Sequence, residues 1–502
     1  MSSPVIFPFK KLIGINPEED TPVYLQIAQS MIHLIRNGHL PTNYKLPGTR
    51  TLSELLGVHR KTVVAAFNEL EMQGWIIVLA NKGCFIKNKK AEAVTGQLVS
   101  YPNLTGFSIS NNTLLETTSD NIASRISFDD GQPDMRLAYS EQLAARYSAS
   151  LGRKIGRRLW SYQPGGENTF FRNQLTNFLN STRGLRATPK NIVSTRGTEM
   201  NLYLAAQTLL SANDWVIVGN PSYHKANMVF QQAGAVLKSV LVDYNGIDVD
   251  AIKKICKRQP IKMVYITPHY HYPTTVPLST ERRLQLLELS YRFGFIILED
   301  DYDYDFCFNS NAELPLASID NKGMVVSIGS FCKTLAPGFR TGFIVAPENL
   351  VKEINKLKAI IDSNGDLMME QVLGEMIAEG EISRHLKKAH QTYRDRRDHF
   401  CNQLNKMLHS KVDYKLPPGG LAVWLPFQTR LNLSKVAKAC LARSLNLPTT
   451  LLYQTKDLTA IRLGFASFNE TESIAALRTL KKLLKLKLPK TTVHLTDPKI
   501  AS

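Results

Sequence analysis

From about residue 125 onward, short apolar stretches rich in β-branched residues alternate with longer amphipathic stretches. Four of the apolar stretches are predicted strands: "WVIVGN" (215–220), "KMVYIT" (262–267), "FGFIIL" (293–298) and "MVVSIG" (324–329). Segments with helical spacing of apolar residues, such as "TERRLQLLELSYRF", lie between them. Strands that alternate with helices favour an α/β fold, with a mostly parallel sheet covered by helices on both faces. Binding sites in such folds lie beyond the carboxyl ends of the strands.

Length and composition limit the class of protein. The 502 residues are too many for one ordinary hydrophobic core, so we expect at least two domains. No apolar run reaches the ~20 residues that a membrane helix needs, and the N-terminus has no basic-then-apolar secretory pattern. We therefore expect a cytoplasmic protein without a membrane partner. The six cysteines form no Cys-x-x-Cys pair, which predicts reduced thiols and no zinc site.

Much of the positive charge lies at the two ends of the chain. The formal net charge is +18; residues 1–90 contain 11 Lys or Arg and 6 Asp or Glu, and residues 478–502 contain 7 against 1. An excess of this kind suits a polyanionic partner, although a basic surface that serves only solubility is the alternative.

Three helices and a hairpin are predicted in the first 88 residues. The first helix ends at Gly38, the second follows "LPGTR" (46–50) and closes at Gly57, and the third, within "VHRKTVVAAFNELEMQGW", ends at Gly74. The stretch "WIIVLANKGCFI" then predicts a hairpin, or wing, with Lys82 at its tip. Two short helices joined by a glycine-containing turn match a helix-turn-helix, whose second helix enters the major groove of DNA.

Residues at the start of the third helix can bond bases or phosphates, and the wing tip can contact a DNA backbone. The candidates are His59, Arg60, Lys61, Thr62 and Lys82. On pattern alone, a three-helix protein-interaction module with a solvated basic face is the alternative.

A longer motif favours the DNA-binding interpretation. The segment "KLPGTRTLSELLGVHRKTVVAAFNELEMQGWI" resembles the winged-helix domain of GntR-type regulators, whose motif runs L-P-S-x-R-x-L-A-x-x-L-G-V-S-R-x-T-V. Arg50, Arg60 and Thr62 occupy matching positions, whereas His59 stands where the family usually has Ser. The resemblance implies double-stranded DNA as a partner and adds Arg50 to the candidate contacts.

Two motifs of the large domain follow predicted strands directly. The carboxylate run "EDDYDYD" (299–305) fits a metal site, a solvated loop or a partner for a cationic ring nitrogen. The stretch "SIGSFCKTLAPGFRTGF" (327–343) comes one strand later and contains Ser330, Lys333 and Arg340. A lysine flanked by Ser, Thr and Arg can form a Schiff base while its neighbours hold a phosphate, although plain surface charge is the alternative.

A third motif, "IVSTRGTEMNLYLAAQTLL", places Gly197, Thr198 and Glu199 between a strand and a helix, where backbone N–H groups can bind a phosphate. Together the motifs resemble fold-type I aminotransferases that depend on pyridoxal 5'-phosphate (PLP), over about residues 125–480. The segments "ILEDDYDYDF" and "GSFCKTLAPGFRTG" are the most specific, and they match E-D-D-Y-D-x-E-F and G-T-F-S-K-x-L-x-P-x-x-R-x-G. Behind a GntR winged helix, this combination resembles the MocR family of regulators.

The resemblance implies PLP as the cofactor and a role for each matching residue. Lys333 would form the internal aldimine, Asp300 would pair with the protonated pyridine nitrogen, and Tyr302 would bond the phenolic oxygen. Tyr223 would stack on the ring, although a plain core position is the alternative for this residue.

The phosphate and the ligand have their own implied partners. Arg340, Ser330 and Thr198 would hold the phosphate, with Tyr162 reaching it from the other subunit. Arg462, in "IRLGFA", would take the carboxylate of an amino-acid-like ligand in a bidentate pair, and a surface ion pair is its alternative.

The chain departs from the family's pattern at several pocket positions. His269, Tyr270 and His271, in "TPHYHYP", replace the usual polar lining, which predicts an altered effector pocket. The His-x-His pair also suggests a metal, but no third ligand is placed by spacing, so no metal is expected. Cys332 replaces the Ser that usually precedes the lysine, and Ala422 stands where the family often has His.

The residues and the resemblance together predict a PLP-binding transcriptional regulator of the MocR type. The predicted domains are a winged helix at 1–88, a linker at 89–124, an aminotransferase-like domain at 125–490 and a tail at 491–502. The expected effector is PLP itself, or an amino acid or amine held as an external aldimine, and the expected assembly is a homodimer on repeated half-sites. The alternative is an active PLP-dependent aminotransferase with an accessory N-terminal domain, because Lys333 and Asp300 also permit transamination.

Overall fold

The computed structural model describes most of the chain, in these ranges: residues 7–16, 19, 21–80, 82–87, 103–109, 112–116, 126–154, 159, 161, 168–308, 313–409 and 411–485. Tyr162, much of the predicted linker and the predicted tail lie outside the described residues. The chain divides into two compact units, Met1–Ser110 and Asn111–Ser502. The predicted domain limits at 88, 124 and 490 stay predictions, because each falls outside the described part. Within that part, no helix is both long enough and apolar enough to cross a membrane.

The small unit is a set of helices followed by a hairpin. Its elements are α1 (Phe9–Leu12), α2 (Val23–Arg36), α3 (Thr49–Leu56), α4 (Arg60–Met72), β1 (Ile76–Leu79) and β2 (Gly83–Ile86). The two strands are antiparallel with Ile76 opposite Ile86, and Lys82 lies in the turn between them. Ile27 and Leu52 belong to the buried core that the helices and the hairpin share. The predicted winged helix-turn-helix is confirmed in this unit.

The helix predicted to enter DNA, α4, begins at an imidazole cap. His59 has an extended backbone at the N-cap position, and its Nδ1 accepts a hydrogen bond from the N–H of Lys61 at 3.2 Å. This bond satisfies one of the N–H groups that a helix start leaves unpaired. The replacement of the family's usual Ser by His59 therefore keeps the cap.

The large unit contains twelve further helices in the described part of the chain. They are α5 (Ser140–Gly152), α6 (Thr169–Arg183), α7 (Thr198–Leu209), α8 (His224–Gln232), α9 (Val249–Cys256), α10 (Thr280–Phe293), α11 (Leu316–Ile319), α12 (Glu348–Ile361), α13 (Leu367–Ala378), α14 (Glu381–Leu408), α15 (Leu433–Leu441) and α16 (Glu470–Lys485). The strands of this unit are β3 (Ile126–Ser127), β4 (Ile192–Thr195), β5 (Trp215–Asn220), β6 (Val236–Asp243), β7 (Gly246–Ile247), β8 (Met263–Ile266), β9 (Ile296–Asp300), β10 (Val325–Ser330), β11 (Gly342–Val345), β12 (Ala422–Pro426), β13 (Leu445–Asn446), β14 (Leu452–Gln454) and β15 (Thr459–Gly464).

Eight of these strands form the main sheet, in the order β4-β11-β10-β9-β8-β5-β6-β7. The run from β10 through β9, β8 and β5 to β6 is parallel. β11 is antiparallel to both β10 and β4, and β7 is antiparallel to β6. The predicted mostly parallel sheet is thus confirmed for its centre, and both edges are antiparallel. Since β11 reverses the direction between them, β4 and β10 end at the same edge of the sheet.

Helices cover both faces of the main sheet. One face packs against α7, α8 and α12 through residues that include Leu202, Phe230 and Ile354. The other face packs against α9, α10 and α11 through residues that include Ile252 and Leu286. A strand covered on both sides has no polar face, which explains the uninterrupted apolar runs in the sequence.

A smaller layer lies in the C-terminal part of the unit. β12, β15 and β14 form an antiparallel sheet in that order, and β3 pairs in parallel with β13. Arg136, shortly after β3, bonds to Asp134 and Glu472, each at 2.9 Å, and donates to the carbonyl oxygen of Ser467 at 2.7 Å. The first described residues after the predicted linker are therefore fastened to the start of α16 and the residues before it.

Candidate functional site

Two strand ends bring the predicted phosphate-binding residues together. β4 leads into Gly197 and Thr198 at the start of α7, and β10 ends at Ser330. The Thr198 hydroxyl lies 3.3 Å from the Ser330 Oγ and donates to it. Arg340 lies beside this helix start, with its Nη2 at 2.8 Å from Oε2 of Glu199. A helix N-terminus, two hydroxyls and a guanidinium thus form one cluster, which suits an anion.

The backbone of this cluster is packed too closely for larger residues. A Cβ on Gly342 would lie 2.7 Å from the Cα of Gly197, and Gly197 itself has a φ of +107°. A Cβ on Gly197 would lie 3.3 Å from the Cys332 Sγ and 3.4 Å from Nη2 of Arg340. Glycine at both positions lets β11 and the turn before α7 approach each other. Burial raises the pKa of the Cys332 thiol, so the residue that replaces Ser is an uncharged neighbour.

Asp300, the last residue of β9, is a buried carboxyl group with one free oxygen. Its Oδ2 accepts a hydrogen bond from the Tyr265 hydroxyl at 2.9 Å, whereas its Oδ1 has no partner among the described residues. Burial raises the pKa of Asp300 to about 7, although the Tyr265 bond acts in the opposite direction. A buried carboxyl group of this kind suits a cationic partner such as a protonated ring nitrogen.

Lys333 lies at the same strand ends. Its Nζ is 3.0 Å from Oδ1 of Asp303 and 4.7 Å from the centre of the Tyr302 ring. Its positive charge also lowers the pKa of Asp300, against the larger effect of burial. The Tyr302 hydroxyl donates to the carbonyl oxygen of Tyr270 at 2.8 Å. The lysine of the motif is thus a largely buried amine next to carboxyl groups and an aromatic ring.

The carboxylate run at 299–305 is folded into the interior. Its first four carboxyl residues, Glu299, Asp300, Asp301 and Asp303, are at most 5% exposed, so the alternative of a solvated loop is wrong. Glu299 points away from Asp300 and accepts hydrogen bonds from two backbone N–H groups of α11, at 2.8 and 3.1 Å. No group of three or more His, Cys, Asp or Glu side chains in the described ranges is arranged to hold a metal ion.

Arg183, at the end of α6, compensates two members of the run. Its Nε lies 3.0 Å from Oδ2 of Asp301, and its Nη2 lies 3.2 Å from Oδ1 of Asp305. The His269 Nδ1 lies 2.9 Å from the other oxygen of Asp301. Burial acts to raise the pKa of Asp301, but His269 and Arg183 together hold it below its usual value.

Arg462, in β15, is fully buried and already paired. Its Nε donates to Oδ1 of Asp130 at 2.6 Å, and its Nη1 donates to the carbonyl oxygen of Pro273 at 2.9 Å. Its guanidinium lies 4.8 Å from the centre of the Tyr272 ring. The alternative of a surface ion pair is wrong, because Arg462 is 0% exposed.

The aromatic and histidine residues of the pocket divide into two groups. Tyr223, just before α8, has its ring centre 4.8 Å from that of Tyr272 and faces the site. His269 and His271 instead bond through Nε2 to backbone carbonyl oxygens, at 2.8 and 2.9 Å. Burial lowers the pKa of His271 to about 4, so its ring is neutral at physiological pH. Both histidines are therefore occupied with neighbouring backbone.

In the small unit, most of the predicted DNA contacts are exposed. The exposed residues are Arg50, His59, Arg60, Lys61 and Lys82, and Thr62 is half-buried. Arg60 bonds through Nε to the Thr49 hydroxyl at 3.4 Å, which joins the start of α4 to α3. The bond leaves the terminal nitrogens of the guanidinium on the outside of the helix-turn-helix.

The small unit is a GntR-type winged helix, and the large unit has the fold of fold-type I aminotransferases, with a lysine beyond β10. Residues 23–86 match the model of bacterial regulatory proteins of the gntR family, and residues 140–480 match that of aminotransferase class I and II. The chain belongs to the aminotransferase class I and II family. Its two domains occur in the order that is typical of MocR-type regulators.

Known regulators and enzymes are similar to this chain over different shares of its length. The HTH-type transcriptional regulator YisV of Bacillus subtilis is 26% identical, over 93% of this chain and 98% of its own length. The probable rhizopine catabolism regulatory protein MocR of Rhizobium meliloti is 26% identical, over 78% of each chain. The crystal structure of an archaeal alanine:glyoxylate aminotransferase is 26% identical with a TM-score of 0.68, and the match covers 73% of this chain and 92% of that one. Because it covers 93% of this chain, the match to YisV includes both units.

Most of the predicted cofactor residues lie near one another, and three charged residues beside them were not predicted as site residues. Arg183, Asp303 and Asp130 each pair with a residue far away in the chain. Arg183 precedes the glycine that ends α6, and Asp130 precedes Gly131 in a turn. For Arg183 and Asp130, the available signal was a charged residue next to a glycine at which the chain turns. This signal does not indicate which residue the charge pairs with.

We expect Asp300→Asn to change the pH dependence of stability in the PLP-free protein. An unfolded Asp has a pKa of about 3.9, so between about pH 4 and pH 7 the folded state keeps a proton that the unfolded state releases. As the pH rises through this range, the free energy of unfolding of wild type should therefore fall relative to that of the variant, by at most about 1.4 kcal/mol per pH unit. Thermal unfolding of both proteins at pH 5 and pH 8 measures the difference.

Asp250→Asn is the matched control, because Asp250 is exposed on α9. Equal pH dependence of wild type and Asp300→Asn would contradict the raised pKa.

Proposed function

We propose that the protein is a MocR-type transcriptional regulator that binds DNA through its small unit and PLP in its large unit. The observation that carries this proposal is the presence in one chain of an exposed basic helix start, at Arg60 and Lys61, and of the buried amine of Lys333. The regulator names of YisV and MocR support it. The effector is PLP itself or a small amine or amino acid, and the protein acts in the cytoplasm as a homodimer.

The polar groups of the site fit PLP. The free Oδ1 of Asp300 suits the protonated ring nitrogen, and the cluster of Thr198, Ser330 and Arg340 suits the phosphate. When bound, PLP supplies an aldehyde carbon that condenses reversibly with a primary amine and releases water. Lys333 is the amine of this chain at the site.

Three tyrosines complete the proposed set. Tyr223 faces the site and suits the flat side of the ring, and the Tyr302 hydroxyl suits the phenolic oxygen. Tyr162 of the partner subunit would add a hydroxyl at the phosphate.

Asp303 offers a physical link between the bound molecule and the state of the protein. Apart from the 3.0 Å contact of Oδ1 with the Lys333 Nζ, its two buried oxygens have no hydrogen-bond partner in the described part of the chain. A Schiff base at Lys333 would move that nitrogen and change its basicity, because an imine is a weaker base than a primary amine, and it would therefore change the stability of the Asp303 carboxylate. A ligand shifts a conformational equilibrium only through a difference of this kind.

The experiment that tests this function compares wild type with Lys333→Ala. We expect PLP to give wild type the absorbance of a Schiff base and to change its affinity for DNA, with neither effect in the variant. Fluorescence anisotropy measures the affinity, on duplexes enriched by the protein from a random-sequence library. PLP-dependent DNA binding that survives in Lys333→Ala would overturn the role of the lysine.

The same preparation tests the alternative of an active aminotransferase. Incubation of the PLP-loaded protein with amino acids and a keto acid should give no repeated turnover. Many turnovers per protein chain, detected as new keto acid, would contradict the proposed regulator and favour the enzyme.

Arg60→Ala should weaken DNA binding by about 1–3 kcal/mol if the guanidinium reads a base, because a bidentate contact contributes that much discrimination. Anisotropy titrations at several salt concentrations separate this effect from a phosphate contact, which lowers the salt slope by about 1. Arg258→Ala is the control, since Arg258 is exposed in the large unit. An unchanged affinity for DNA in Arg60→Ala would contradict the proposed contact between the start of α4 and DNA.

Glu199→Gln should tighten PLP binding. Its carboxylate lies 2.8 Å from Arg340 and 3.6 Å from Lys225, so it competes with a phosphate for both cations. These groups are half exposed, and removal of the charge should gain about 1 kcal/mol, roughly fivefold in affinity. Equilibrium dialysis of PLP measures the change, and Glu353→Gln, which removes an exposed acid far along the chain, serves as the control. Weaker PLP binding in Glu199→Gln would place the phosphate elsewhere.

A further inference from the structure

The guanidinium of Arg462 has little capacity left for a ligand. Asp130 occupies Nε at 2.6 Å, and the Pro273 carbonyl oxygen occupies Nη1 at 2.9 Å. The remaining nitrogen, Nη2, is buried without a hydrogen bond of normal geometry to a described residue, and the Tyr302 hydroxyl interacts with the same guanidinium. A carboxylate held side-on would need Nε and Nη2 together, and Nε is taken.

Asp130 is held in this position by its neighbours in the chain. The Asp129 carbonyl oxygen accepts the N–H of Gly464 at 2.8 Å, and Oδ1 of Asp129 accepts the N–H of Gly131 at 2.8 Å. A Cβ on Gly464 would lie 2.6 Å from the Gly131 nitrogen, so the turn lies directly on the end of β15. The backbone on either side of Asp130 is thus fixed against the strand that carries Arg462.

Both oxygens of Asp130 are engaged. Oδ1 pairs with Arg462, and Oδ2 accepts the Tyr272 hydroxyl at 2.9 Å. The Tyr272 hydroxyl also lies 3.3 Å from that of Tyr453. The ion pair is therefore part of a preformed polar network rather than a chance contact.

The charges around Arg462 oppose a second anion. Asp130 balances the guanidinium at contact distance, and the negative charge of Asp303 also acts on Arg462. A ligand carboxylate would have to displace Asp130 or lie beside this partly exposed carboxylate at the buried guanidinium, where the two like charges repel. An uncharged or cationic group meets no such penalty, and the rings of Tyr223 and Tyr272 offer it an apolar wall.

We propose that the Asp130–Arg462 ion pair selects primary amines that carry no carboxylate and discriminates against α-amino acids. This proposal rests on the proposed function, in which a ligand amine reacts at PLP bound to Lys333. It assigns Asp130 as the residue that determines specificity, through its hold on Arg462.

The test uses amines and amino acids that differ only in the carboxylate. PLP-loaded protein, freed of excess PLP, is titrated with ethanolamine and serine, and with cadaverine and lysine, while cofactor absorbance and heat are recorded. We expect each amine to bind wild type at least tenfold more tightly than its amino acid. Equal or tighter binding of the amino acids would overturn the proposal.

Asp130→Asn frees the guanidinium while its amide oxygen can still accept from Tyr272. We expect this variant to gain at least tenfold in affinity for serine and lysine, and to change little toward the amines. Asp243→Asn is the matched control, because it breaks the exposed ion pair with Arg282 and leaves the pocket intact. An unchanged preference in Asp130→Asn would contradict the assignment.

A second measurement needs no PLP. Succinate, a carboxylate without an amine, should bind the PLP-free Asp130→Asn variant by calorimetry at least tenfold more tightly than it binds wild type. Equal succinate affinity in the two proteins would contradict the role of the Asp130–Arg462 ion pair, even if PLP and DNA bind as proposed. Failure of wild type to bind PLP would contradict the proposed function alone, since the succinate comparison still decides the ion pair.

Discussion

The loop after β9 depends on the cation of Arg183. Four carboxyl groups are buried close together at the end of β9 and in this loop, at Glu299, Asp300, Asp301 and Asp303, and burial of an unpaired charge costs several kcal/mol. Arg183 meets Asp301 and Asp305 from the end of α6, and its guanidinium lies 4.5 Å from the centre of the Tyr304 ring. Removal of one partner from such a buried pair typically costs about 3–5 kcal/mol. Because these two carboxylates are fixed to α6, Asp303 between them turns toward Lys333.

The sequence predicted the elements and the clustering of the lysine motif well, for local reasons. Apolar runs mark strands covered on both faces, and the spacing of Ser330, Lys333 and Arg340 lies within one strand and its turn. The strand predicted at 293–298 begins later, at Ile296, because Gly294 closes α10 with a φ of +76°. In the small unit the ends of α2, α3 and α4 were predicted, since each of these helices ends near a glycine, whereas α1 and the cap at His59 were not.

The charge pairs of the site were not predictable in the same way. Asp130 and Arg462 are 332 positions apart, and no local sequence pattern around either residue indicates that the other is its partner. The resemblance implied that Arg462 binds the carboxylate of a ligand, whereas in the structure it pairs with the carboxylate of Asp130. The antiparallel placement of β11 between β10 and β4 is likewise a long-range property, because it depends on which strand edge is free when the sheet closes. Local patterns thus predict which groups reach the site, and only the folded chain shows which of them neutralise one another.

The fastening of the segment after β3 to β13 and to the start of α16 places the ion pair within a segment that is held on both sides. The segment from β3 to Arg136 is tied to β13, Ser467 and Glu472. Asp130 lies in the middle of this segment. A molecule that separates Asp130 from Arg462 therefore also acts on this segment, which is held at β13 on one side and at Ser467 on the other. The position of the segment and the occupancy of the pocket are in this way coupled through one ion pair.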